Sequence, residues 1–138
     1  MMRERPRKVL VIDDDEGARE FVTAIMQAEG WVVVEGINGQ EALELAEEET
    51  PDLIIMDVSM PVMNGFEAFA RLRSNYFTKD IPVVMLTAIN EVEPGFGYDE
   101  EKMEKFLGVP RPEGFVDKPV NSMFLLDTVF GVVGHGRI

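Results

Sequence analysis

Two apolar runs in this chain stop at carboxylates. Lys8-Val9-Leu10-Val11-Ile12 is followed at once by Asp13-Asp14-Asp15-Glu16. Leu53-Ile54-Ile55-Met56 ends in Asp57, ahead of a loop rich in turn residues, Val58-Ser59-Met60-Pro61-Val62-Met63-Asn64-Gly65. Short unbroken apolar runs closed by turn residues read as buried parallel strands. One Asp at such a point is most often a turn former. Two such points change the weighing: if the strands are parallel neighbours, their carboxyl ends lie together and Asp13, Asp14 and Asp57 converge. Carboxylates that close repel one another unless a cation joins them. An all-oxygen set with no His or Cys nearby favours a hard ion, Mg²⁺ before Ca²⁺, and disfavours Zn²⁺. The competing use of Asp13 to Glu16 is to cap a following helix, where negative charge is favourable. Asp15 suits that role, which leaves the preceding pair to be accounted for.

The elements that must position these groups follow from periodicity. After Asp15, Ala18, Phe21, Val22 and Ile25 share one helical face, with Gly30 as the stop. Trp31 to Val34 reads as a strand, and Asn38 with Glu41 forms a capping box for the next helix. That helix carries Ala42, Leu43 and Ala46 inward and Glu44, Glu47 and Glu48 toward solvent, and Pro51 ends it. Asn64 caps a third helix whose buried stripe is Phe66, Phe69 and Ala70. Ile81 to Leu86 is a fourth strand, ending in Thr87-Ala88. Gly114 to Asp117 is a short fifth strand that leads into Lys118-Pro119, a rigid turn open to the cis form that aims the lysine. Asn121 caps a last helix bearing Leu125, Leu126, Val129 and Phe130. Such alternation predicts an α/β fold, a parallel sheet with helices on both faces.

Four landmarks occur in one order across nearly the whole chain: Val11-Ile12-Asp13-Asp14-Asp15, then Asp57 with Met60-Pro61 and Asn64-Gly65, then Leu86-Thr87-Ala88, then Asp117-Lys118-Pro119. In these the sequence resembles the receiver domain of two-component response regulators, of the chemotaxis-regulator type. Together with right-handed crossovers, the resemblance implies a flavodoxin-like, doubly wound five-stranded sheet in the order 2-1-3-4-5. Ligand sites in such sheets lie beyond the carboxyl ends of the strands, at the switch point between strands one and three. Asp13, Asp14, Asp57, Thr87 and Lys118 all close strands on that edge.

The resemblance further implies roles. Asp57 is the phosphoacceptor of a phosphorelay and forms an aspartyl phosphate. Asp14 ligates Mg²⁺ (or Mn²⁺) directly and Asp13 through water, with Asp57 and the backbone carbonyl of Ser59 completing the protein's share. Lys118 pairs with Asp57 before transfer and with a phosphoryl oxygen after it. Thr87 bonds the phosphoryl group, Ala88 leaves it room, Phe115 is the switch aromatic and Pro119 shapes the turn. By residue type alone, Lys118 is equally a surface lysine, Thr87 a β-former and Phe115 plain core. The function implied is a stand-alone cytoplasmic response regulator that works by changed protein binding. It catalyses only its own phosphorylation and dephosphorylation. Its partners are a sensor histidine kinase or histidine phosphotransfer protein and an unnamed downstream protein. The single histidine, His135, lies in a Gly-rich tail and is a poor donor.

Length and composition set outer limits. At 138 residues the chain is expected to be one domain, residues 1–138, with a basic tail at 1–6 and no output domain. A net charge of −13 argues against direct nucleic-acid or anionic-membrane binding. No cysteine is present, and no apolar run approaches the ~20 residues of a membrane span. Residues 89–113 depart from the receiver pattern: a loop, Asn90 to Tyr98, precedes a short helix, Glu100 to Leu107, and then Pro110 and Pro112. A fourth helix shortened or displaced in this way counts against dimerisation through the face it shares with the fifth strand and last helix. Ile89, apolar and two positions past Thr87, predicts slow self-dephosphorylation. The main rival is a receiver-shaped interaction module that is never phosphorylated. An aspartate-nucleophile phosphatase would need Gly and Ser or Thr after Asp-x-Asp, where Glu16-Gly17-Ala18 stands. A flavodoxin-like carrier would need a hydroxyl-rich phosphate loop where four acidic residues follow the first strand.

Overall fold

The structure, a computed structural model, describes residues 5–88 and 111–134. Five parallel strands, β1 (Lys8–Ile12), β2 (Val32–Gly36), β3 (Leu53–Asp57), β4 (Val83–Thr87) and β5 (Gly114–Asp117), form one sheet in the order β2-β1-β3-β4-β5. Helices α1 (Glu16–Ala28), α2 (Gly39–Glu49), α3 (Gly65–Arg73) and α4 (Ser122–Val133) cover its two faces. This is the doubly wound architecture expected. The short helix expected at Glu100 to Leu107, the loop before it, Ile89 and His135 lie outside the described residues.

Each helix starts where its side-chain acceptor stands. Asp15, Asn38, Asn64 and Asn121 accept from the backbone N–H three residues on, at Ala18, Glu41, Glu67 and Phe124. Glu41 completes its box one residue further back than the usual pattern, accepting from Ile37 N at 2.9 Å.

Alternation along the strands sorts the core in two. Leu10, Ile12, Ile54, Met56, Val83 and Met85 pack under α2 and α3 against Ala42, Ala46, Ala68, Phe69 and Leu72. Val9, Val11, Leu53, Ile55, Val84, Leu86 and Val116 pack under α1 and α4 against Val22, Met26, Leu125 and Val129, with Trp31. Both faces are covered, which is why the strands read as continuous apolar runs. The buried stripe of α1 is rotated from expectation: Val22, Thr23 and Met26 are buried, and Phe21 lies 49% exposed. Apolar residues at 21, 22, 25 and 26 make a stripe wider than the sheet can cover, and docking centres it on Val22 and Met26.

Register carries the strand ends to the site. Val9, Leu10, Val11 and Ile12 of β1 pair with Leu53, Ile54, Ile55 and Met56 of β3, so one further residue sets Asp13 beside Asp57. Both fall on the α1/α4 side by parity with Val11 and Ile55. A one-residue slip would send every β1 side chain into the opposite core. Misfit at four buried positions, about 1–3 kcal/mol each, exceeds a few kcal/mol of carboxylate repulsion at an effective dielectric near 20. Packing therefore holds the acids together.

The loop after β3 is held by close backbone contacts. Gly65 N donates to Val58 O at 2.7 Å and Gly39 N to Met63 O at 2.9 Å. A Cβ on Gly65 would collide with the carbonyl of Asp57 and stand 2.8 Å from Met85 Cε. Gly65→Ala is expected to displace the end of β3 and cost about 2–3 kcal/mol, read as a lowered denaturant midpoint; a midpoint within error of the parent's contradicts the close approach. Met63 N also donates to Pro61 O at 2.7 Å, a three-residue turn that sets Val62 at φ 71°. A β-branched residue there is strained by roughly 1–3 kcal/mol. Val62 is 81% exposed, so burial offsets none of it. Val62→Asn is expected to gain about 1 kcal/mol, because Asn tolerates left-handed backbone. Thermal unfolding checks this, and a lower midpoint would count against the strain.

Candidate functional site

Three acids meet at the carboxyl edge between β1 and β3. One carboxylate oxygen each from Asp13, Asp14 and Asp57 lies within 4.8 Å of the other two. Asp13 and Asp57 are buried, at 1% and 3% exposure, while Asp14 is open to solvent. Lys118, delivered by the turn after β5, places its Nζ 2.7 Å from Asp57 Oδ1 and 3.2 Å from Asp13 Oδ2. The Lys118-Pro119 peptide is cis, and Lys118 N donates to Thr87 O at 2.8 Å, which fixes the turn against the end of β4. Burial pushes the Lys118 ammonium down from its ordinary value of 10.5. The hydrogen bond and charge of Asp57, with the charge and hydrogen bond of Asp13, push it up, and the net direction is up. Lys118 is therefore a firmly charged partner of two buried carboxylates.

Asp13 is held at every polar atom. Its N–H donates to Gly36 O at 3.1 Å. Its Oδ1 accepts from Asp15 N at 2.9 Å. Its carbonyl accepts from Arg19 Nη1 at 2.8 Å, and the Nε of the same guanidinium donates to Glu35 Oε1 at 2.7 Å. Neither Arg19 nor Glu35 carries a signal in the sequence, where one reads as a helix-surface cation and the other as an edge-strand acid. The only hint is that Arg19 stands four residues after the cap Asp15, on the turn that faces the strand ends.

The remaining expected residues are placed less tightly. Ser59 is exposed in the loop just past β3, and Ala88 is half-buried just past β4. The Thr87 hydroxyl donates to Asp117 Oδ1 at 3.4 Å, across the β4–β5 pair in which these residues are register partners. Phe115 is half-buried and packs against the core under α2 and α3. Pro119 is exposed beyond Lys118.

The donor set fits a divalent ion. Three carboxylates at −1 and one ammonium at +1 leave a local charge of −2. All the ligating atoms are oxygens, and one acid is open to solvent, which suits an ion that keeps several waters. A buried carboxylate beside a fixed cation, open toward such an ion, is chemically able to attack a phosphoryl group whose charge the cations neutralise.

Comparison with known proteins agrees with this arrangement. The family model for the response regulator receiver domain matches residues 9–129. The chain is 31% identical over 127 residues to the chemotaxis protein CheY of Halobacterium salinarum, covering 92% of this chain and 97% of that one. It is 35% identical over 89 residues to a probable transcriptional regulator, ycf27, of Guillardia theta, covering 64% of this chain and 34% of that longer protein. The structure of the chemotaxis response regulator CheY4 of Vibrio cholerae superposes with a TM-score of 0.76 at 34% identity, covering 93% of this chain and 99% of that one. All four sequence landmarks lie inside the matched span, and the chain belongs to the response regulator receiver domain family.

Proposed function

We propose that this protein is a phosphorylatable receiver in which Asp57 takes a phosphoryl group from a partner's phosphohistidine and the changed surface alters protein binding. Receiver domains are signalling proteins of two-component systems, and phosphorylation on aspartate is general among them. They bind Mg²⁺ in an acidic pocket and interact with histidine kinases or phosphotransfer proteins and with downstream targets. The observation that carries the reading for this chain is the meeting of Asp13, Asp14 and Asp57 with Lys118 2.7 Å from Asp57.

Asp13, Asp14, Asp57 and the backbone carbonyl of Ser59 would hold Mg²⁺, which when bound neutralises charge on the incoming phosphoryl oxygens. In the transfer, an Asp57 oxygen forms the new P–O bond as the P–N bond to the donor imidazole breaks. Lys118 aligns the Asp57 carboxylate before this step and then pairs with a phosphoryl oxygen. Thr87, whose hydroxyl now donates to Asp117 at 3.4 Å, would give up that long bond for a phosphoryl oxygen, with Ala88 leaving space. Phe115, half-buried beside β4, would repack as Thr87 moves, shifting the population of two surface arrangements. The reading places the protein in the cytoplasm with its phosphohistidine donor. No helix among the described residues is long and apolar enough to cross a membrane.

The test is incubation of the protein with Mg²⁺ and a small acyl phosphate, followed by intact mass. A single phosphoryl adduct that needs Mg²⁺ is expected. Absence of an adduct from acyl phosphate and from phosphohistidine donors alike would leave a receiver-shaped binding module instead.

A further inference from the structure

Asp13 sits where the β1 ladder runs out. Its N–H still reaches β2, at Gly36 O, but its carbonyl has passed the last strand partner and is taken by the Arg19 guanidinium at 2.8 Å. That guanidinium is pinned on its other edge by Glu35, which stands on β2 one residue before Gly36. Arg19 thus ties the second turn of α1 to the ends of both β1 and β2, with its side chain only 15% exposed. The result is that the peptide units on either side of Asp13 are both clamped, while its carboxylate is aimed at Lys118 and Asp57.

We propose that Arg19 is a positioning residue for the cation pocket: by holding the Asp13 carbonyl, and being held by Glu35, it sets the direction of the Asp13 carboxylate. This rests on the reading of Asp13, Asp14 and Asp57 as a Mg²⁺ site. Mg²⁺ demands near-octahedral geometry, so freedom in one supporting carboxylate lowers affinity, and loss of such a support typically weakens metal binding about 10–100-fold. The guanidinium's two edges do separate tasks that a lysine ammonium, a point donor, does not span.

The sign of the effect separates positioning from charge. Arg19 is a cation close to an acidic pocket, so removing its charge should, by electrostatics alone, tighten Mg²⁺ binding. Positioning demands the reverse. Mg²⁺ titration by calorimetry on the full chain, with chelator-phase thermal unfolding to check the fold, reads both. For Arg19→Gln we expect affinity to fall roughly tenfold, and for Arg19→Lys, which keeps the charge but loses the fork, several-fold. Binding by Arg19→Gln as tight as the parent's, or tighter, overturns the proposal. Should that variant fail to fold, Arg19→Lys decides, and parent-like affinity overturns it. A parent that binds no Mg²⁺ removes the cation-site reading itself, and this inference with it.

Discussion

Asp57→Asn is expected to abolish the Mg²⁺-dependent phosphoryl adduct while leaving a folded protein. The amide cannot attack phosphorus as a carboxylate does, and loss of a nucleophile costs on the order of a thousandfold or more. The neighbouring acids are not ready substitutes. Asp13 is committed through Oδ1 to the Asp15 N–H and through Oδ2 to Lys118, and its backbone is clamped on both sides. Asp14 projects to solvent, without the lysine that aligns Asp57. The fold should persist, because Lys118 keeps Asp13 at 3.2 Å and one of three like charges is gone. Intact mass and thermal unfolding of the same sample provide the check. An adduct of parent-like extent on the Asn variant would move the acceptor to another residue and end the assignment of Asp57.

The second large effect concerns the cation. Lys118→Met keeps the aliphatic stem and deletes the charge that two buried carboxylates share. Breaking a buried pair typically costs about 3–5 kcal/mol. Here the lysine side chain is 24% exposed, which discounts that figure to about 2–3 kcal/mol in chelator. In a domain of this size that is a fall in melting temperature of about 10 °C. Mg²⁺ should restore more stability to the variant than it adds to the parent, since the ion then takes over the neutralisation that the ammonium supplied. The pH dependence follows from the upward direction of the Lys118 pKa. Burial lowers it, but Asp57 and then Asp13 raise it more, so the folded value exceeds the ordinary 10.5. A raised lysine stabilises fully below that ordinary value and loses its contribution as pH climbs through the folded one. The lysine's own ionisation therefore leaves the gap between parent and variant flat across neutral pH and narrows it in strong alkali. A variant as stable as the parent in chelator at pH 7 would show that the ammonium does not neutralise this pocket.

Much of the molecule is determined by chemistry that reaches only a few residues. Four helices begin at Asp15, Asn38, Asn64 and Asn121 because each side chain finds an N–H three positions on, a contact the local sequence specifies without help. The apolar runs ending at Ile12 and at Met56 mark strands buried on both faces, and the acids that close them are legible as a candidate cation site before any register is known. Tertiary structure decided what depends on distant parts of the chain. The rotation of α1 that turns Phe21 outward was set by how much of its apolar stripe the sheet could cover. The neighbouring of Asp13 and Asp57 was set by pairing between strands whose register only the two cores enforce. The Arg19–Glu35 clamp and the Thr87–Asp117 contact join groups 16 and 30 residues apart, on side chains whose local patterns say only helix surface and strand end. Local patterns specify which residues can do chemistry; packing between elements far apart in the chain specifies which of them meet.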